Sequence, residues 1–125
     1  MMGDKVRVLV VVEDEVDIRL LIRMTLMADP RIELFGEAAD AATAIELAKV
    51  AAPGLIILDH SIEGDVMGLD AAPLLKQVAP EAQILLFTAF DLAAEAAAEP
   101  AVDAYLSKSE LERLLPTVQG MLGLS

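Results

Sequence analysis

Cysteine is absent from the chain, which excludes disulfides and thiolate metal sites and leaves the fold to stand on its core alone. Basic residues are scarce, 9 Lys and Arg against 21 Asp and Glu, for a net charge of -12. Such a surface repels nucleic-acid phosphates and anionic lipid headgroups, so neither direct nucleic-acid binding nor a membrane partner is expected. Long hydrophobic runs are lacking too. The first apolar stretch, residues 6–12, is interrupted by Arg7 and followed by three acids, which is the wrong length and the wrong flank for a signal peptide or a bilayer span. The cytoplasm is the expected compartment. No glycine-rich phosphate loop follows that stretch: VVEDEVD offers three acids that repel phosphate unless a cation intervenes, which disfavours a flavin or nucleotide module.

What is present is 125 residues that are 56% hydrophobic and 24% charged, the usage of one globular domain spanning 1–125. Short Val/Ile/Leu-rich runs alternate with segments of helical spacing, the pattern of a doubly wound α/β fold with a five-stranded parallel sheet and five helices. Strands are expected at 6–12, 32–38, 55–59, 83–88 and 102–107. The middle runs, VRVLVVV, GLIILD and QILLFT, read as buried on both faces, while the more mixed outer two read as edges. Helices are expected at 16–28, with Ile18, Leu21, Ile22, Thr25 and Leu26 facing inward, and from an Asp40 cap to about Val50. A third follows Gly68 with Pro73 in its first turn, and a short alanine-rich fourth covers 91–98. The last starts at a Ser109/Glu112 capping box and is kinked, or divided at Leu115, by Pro116. The alanine bias is expected to reflect helix propensity.

In doubly wound sheets ligands gather beyond the carboxyl ends of the strands. Polar residues stand there after each central run: Glu13 and Asp14 after the first, Asp59 at the end of the third, Thr88 with small Ala89 at the end of the fourth, and Lys108 just past the fifth. Any one of them is unremarkable, since strand-end acids are usually solvated or cap a helix and a lone lysine is usually surface charge. The set together is specific. An aspartyl phosphatase would place its nucleophile after the first strand with a second acid two residues on, whereas Asp14 is followed by Glu15 and Val16.

Over essentially its whole length the chain resembles the receiver domain family of response regulators. The motifs that carry the likeness are VVEDE, LIILDHS, LLFTAF and AYLSKS. The resemblance implies strand order 2-1-3-4-5, a phosphoryl acceptor at Asp59, and a magnesium ion, replaceable by manganese, on Asp14, Asp59, Glu13 through a water, and the Ser61 carbonyl. It implies that Lys108, Thr88 and the N–H groups of His60 and Ala89 receive the phosphoryl oxygens. Thr88 and Tyr105 would be the switch, with Tyr105 turning inward on activation, and Phe90 would flank the route of water to the phosphoryl group. The partners implied are a histidine kinase or phosphotransfer protein, an output domain or target protein, and a second copy pairing on phosphorylation. Such a domain is no conventional enzyme, but it catalyses its own phosphorylation and dephosphorylation. The alternative is a degenerate receiver acting as a constitutive interaction module, although the acceptor, acidic pair and lysine such relatives lose are all here.

The chain departs from the usual pattern in four places. Its acidic pair is Glu-Asp, Glu63 stands where proline is common with one extra residue before Gly68, Ser109 follows Lys108, and the fourth helix is short. A cis bond before serine costs about 2.5–4 kcal/mol, so Lys108–Ser109 is expected trans. The His60 side chain is expected to point outward, without a role as ligand or phosphodonor.

Overall fold

A computed structural model describes residues 7–124. The expected start of the first strand at Val6 lies outside these. Strands β1 (Arg7–Val12), β2 (Ile32–Ala38), β3 (Leu55–Leu58), β4 (Gln83–Thr88) and β5 (Ala104–Ser107) form one parallel sheet in the order β2-β1-β3-β4-β5. The crossovers are α1 (Val16–Leu26), α2 (Ala41–Ala51), α3 (Gly68–Val78) and α4 (Ala93–Ala98), and α5 (Leu114–Met121) closes the described chain. The fold is the flavodoxin-like, doubly wound α/β arrangement that the resemblance implied. Among the described residues no helix is long and apolar enough to cross a membrane.

Strand alternation divides the core in two. Val10, Val12, Ile56, Leu58, Ile84 and Leu86 face α2 and α3, whose contact residues include Ala41, Ala44, Ala48, Ala71 and Ala72. Leu9, Val11, Leu55, Ile57, Leu85 and Phe87 face the larger Ile22, Leu26, Leu114 and Val118 of α1 and α5. The alanines of α2 thus pack as well as favour helix, since small side chains let a helix lie close on the sheet. β1, β3 and β4 are buried on both faces, whereas β2 and β5 are largely part-buried, as edges are.

Several local expectations need correction. On α1, Leu21 is exposed instead of inward, because the buried stripe follows the four-residue spacing of Ile22 and Leu26. β5 begins at Ala104, not 102: the Asp103 carboxylate takes the Ile84 N–H at 2.8 Å and Lys76 Nζ at 2.9 Å, which fixes a turn ahead of the strand. α4 starts at Ala93, not Asp91. Pro73 is the sixth residue of α3, beyond its first turn. The helix starts earlier than proline alone would set because Gly68 is docked on the β3–α3 loop. Lys108–Arg113 is a 3-10 segment capped by the Ser107 hydroxyl, which accepts the Ser109 N–H at 3.2 Å, so Ser109 is not the cap. Pro116 then falls in the first turn of α5, where its missing N–H does no harm, and the division comes at Arg113/Leu114. Every peptide bond among the described residues is trans, Lys108–Ser109 included.

Candidate functional site

Ladder hydrogen bonds run one residue past the strand ends and hold two acids at the carboxyl edge of the sheet. Glu13 N–H donates to Ala38 O at 2.8 Å, and Asp59 N–H donates to Val12 O at 3.0 Å. Both side chains are buried, at 1% and 4% exposure, beside the half-buried Asp14. Glu13, Asp14 and Asp59 each bring a carboxylate oxygen to within 4.8 Å of the others. From the end of β5 the Lys108 ammonium reaches between them, donating to Asp59 Oδ2 at 2.7 Å and ion-pairing with Glu13 Oε1 at 2.7 Å. Sequence reasoning brought these four residues to one place, and the structure does the same.

One lysine does not balance three acids. Burial pushes the Glu13 carboxyl up to about 7; the Lys108 contact opposes this, and the neighbouring Asp59 charge adds to it. Burial works against the Lys108 ammonium, but its bonds to Asp59 and Glu13 prevail and raise its pKa. Asp59 Oδ1 is buried with no hydrogen-bond partner. A buried carboxylate oxygen without a donor, in a cluster of hard oxygen ligands, fits a small divalent cation such as magnesium or manganese.

Around the acids a cavity of about 220 Å³ is lined by Asp14, Asp59, Ser61, Ala89, Phe90 and Lys108, among others. Thr88 ends β4 fully buried, its hydroxyl accepting the Phe90 N–H at 3.4 Å. Tyr105 is half-buried on β5. Its hydroxyl donates to Phe90 O at 2.8 Å and accepts the Leu92 N–H at 3.4 Å, which ties β5 to the β4–α4 loop.

Sequence reasoning missed what the His60 side chain does. The imidazole does not simply point outward: Nδ1 accepts the Leu69 N–H at 3.2 Å, a cap on α3, and the ring packs on Phe90. Gly68 N–H also donates to His60 O at 2.8 Å. Glycine is required there, because a Cβ would come within 2.1 Å of Asp59 O and 2.6 Å of His60 Cα. The signal in the sequence was Gly68 itself, a glycine opening a helix that needs close approach. The β3–α3 loop is also stitched to β2–α2, with Glu63 N–H on Ala39 O at 2.9 Å, so the residue replacing the usual proline sits in an ordered bridge.

A strand edge that gathers three acids, a lysine and a buried hydroxyl on a doubly wound sheet defines a class of signalling domain, and comparison with known proteins agrees. The sequence model of the response regulator receiver domain matches residues 9–119, and the chain belongs to that family. It is 34% identical over 112 residues to the nitrate/nitrite response regulator protein NarP of Escherichia coli (strain K12), covering 87% of this chain and 52% of NarP. It is 32% identical over 100 residues to the response regulator protein VraR of Staphylococcus aureus, covering 78% and 47%. The chain thus spans about half the length of the curated relatives it matches. A two-component response regulator of the LuxR family from Aurantimonas sp. SI85-9A1 superposes with a TM-score of 0.85 at 26% identity, over 96% of this chain and 88% of that one.

Proposed function

We propose that residues 1–125 form one cytoplasmic receiver domain that takes a phosphoryl group from a phosphohistidine onto Asp59 and, by doing so, changes the surface it offers a partner. The observation that carries this reading is Asp59 Oδ1, a buried carboxylate oxygen left without a donor inside a cluster of acids. Asp14, Asp59, Glu13 and the Ser61 carbonyl would hold the magnesium. Bound there, the ion supplies positive charge that lets a carboxylate approach a dianionic phosphoryl group.

The chain's own residues do the rest. A carboxylate oxygen of Asp59 bonds to phosphorus, the P–N bond to the donor imidazole breaks, and the departing nitrogen takes up a proton. Lys108, already 2.7 Å from Asp59 Oδ2, compensates charge on the transferring oxygens, and the His60 and Ala89 N–H groups orient them. Phosphoryl transfer of this kind depends on position and charge more than on covalent help. Thr88 lies one residue from the loop that would receive the new oxygens. Donating its hydroxyl to a phosphoryl oxygen reorients the side chain that accepts the Phe90 N–H at 3.4 Å, and the Tyr105 hydroxyl carries the loop's shift to β5. The faces of α4, β5 and α5 are where a target, an output domain or a second copy would read the change.

The test is intact-mass measurement after incubation with acetyl phosphate. Wild type should gain one phosphoryl group only with magnesium or manganese present, and Asp59→Asn should gain none. A single adduct that persists on Asp59→Asn places the acceptor elsewhere and ends the assignment.

A further inference from the structure

Phe90 is half exposed at the rim of the cavity that contains Asp59. A ring so placed samples several rotamers unless something holds it. Here it meets the imidazole of His60, with ring centroids 6.0 Å apart and planes at 81°, the edge-to-face arrangement that aromatic quadrupoles favour. His60 is itself pinned. Its Nδ1 accepts the Leu69 N–H at 3.2 Å and its carbonyl accepts the Gly68 N–H at 2.8 Å, so the first turn of α3 fixes both its backbone and its ring. On the far side the Phe90 carbonyl is held by the Tyr105 hydroxyl at 2.8 Å. A chain of contacts therefore runs from the start of α3 through His60 to the ring at the cavity mouth.

We propose that His60 is a positioning residue whose imidazole, pinned by α3, holds Phe90 across the cavity mouth and so lengthens the life of a phosphoryl group on Asp59. This rests on Asp59 being the acceptor. In the loss reaction a water oxygen attacks phosphorus and the P–O bond to Asp59 breaks. Its electron pair stays on the carboxylate, and inorganic phosphate leaves with the water's oxygen while one proton is released. The attacking water must approach opposite the Asp59 oxygen, from the open side of the cavity, and a ring held there obstructs that line. The His60 imidazole acts on Leu69 and Phe90, while the backbone N–H that meets the phosphoryl oxygens is kept in an alanine variant; what the ring sets is how often the path is clear.

Two measurements test this. In the first, wild type, His60→Ala, Phe90→Ala and the double variant are phosphorylated with acetyl phosphate and magnesium, the donor is removed, and the adduct is followed by intact mass. Each single variant should lose the phosphoryl group about two- to tenfold faster, the range an aromatic pair is worth. The double variant should decay no faster than the faster single. Decay of His60→Ala at the wild-type rate, or effects that multiply in the double variant, overturns the proposal. The second needs no phosphorylation: the chain has no tryptophan, so Phe90→Trp introduces a sole tryptophan, excited at the red edge where Tyr105 does not absorb. Adding His60→Ala should raise its acrylamide quenching, and unchanged quenching overturns the contact. If wild type gains no phosphoryl group while quenching responds, the acceptor reading fails and the gating role falls with it, leaving only the packing of the two rings.

Discussion

Asp29 and Asp59 are buried alike, at 5% and 4% exposure, at opposite ends of the sheet. Asp29 stands in the turn before β2, and its carboxylate is fully engaged. It accepts the Arg31 N–H at 2.9 Å, Arg31 Nε at 3.0 Å and Nη2 at 2.8 Å, and Gln119 Nε2 at 2.9 Å. The hydrogen bonds from Arg31 and Gln119 hold its carboxyl well below the usual carboxylate range. Asp59 has Lys108 on one oxygen and nothing on the other, and beside it burial and the Asp59 charge push Glu13 up. The difference teaches how to tell two uses of a buried charge. A carboxylate that fastens the fold has its partners supplied within the chain, whereas one that waits for a ligand is left short of them.

The largest consequence is functional. Asp59→Asn should remove phosphoryl uptake altogether and Asp29→Asn should leave it intact, as intact mass reports. If both variants lose uptake, the contrast collapses and Asp29 belongs to the working site.

Next comes stability, where the two ends should differ in sign. Asp29→Ala removes the carboxylate that accepts from Arg31 and Gln119 and should lower the melting temperature. Asp59→Asn, in EDTA, removes one of three converging like charges and should raise stability by about 1–2 kcal/mol. Thermal melts of the two variants side by side decide it, and a fall for Asp59→Asn shows that the Lys108 pairing outweighs the repulsion among the acids.

The pH response is smaller and again opposed. Glu13 is raised from 4.5 to about 7 in the folded metal-free chain, so between those values the folded state binds more protons than the unfolded one. Stability therefore falls as pH rises through that window. Asp29 contributes stability that is present above 3.8 and lost as pH falls through its depressed folded value. Glu13→Gln should flatten urea-derived stability between pH 4.5 and 7, while Asp29→Asn should change only the acid limb. An unaltered neutral slope in Glu13→Gln assigns that titration to another group.

The sequence made the working end legible and left the fastening end dark, for a physical reason. Glu13, Asp14, Asp59, Thr88 and Lys108 each stand within two residues of the end of an apolar run, and parallel strands bring their carboxyl ends together whatever the loops do. Asp29 carries no such signal, because its partner Gln119 is 90 positions away on α5. The His60–Leu69 cap and the His60–Phe90 pair were equally hidden, since both depend on how α3 docks on the β3–α3 loop. Propensity misplaced the ends of elements where a side chain intervened. Asp103 delayed β5 and Ser107 displaced the expected cap, and neither contact leaves a periodic trace in sequence.

The central claim is that three carboxylates at the sheet edge carry more negative charge than Lys108 balances, and that an ion supplies the rest at the unpartnered Asp59 Oδ1. It is tested most directly by thermal melts in EDTA and in rising magnesium at constant ionic strength, for wild type, Asp59→Asn and Asp29→Ala. Binding to the folded state alone raises the melting temperature with the logarithm of ion concentration above the dissociation constant. Wild type and Asp29→Ala should rise in parallel, and Asp59→Asn should rise much less. An equal rise in all three contradicts the account, because the ion would then be acting somewhere other than Asp59.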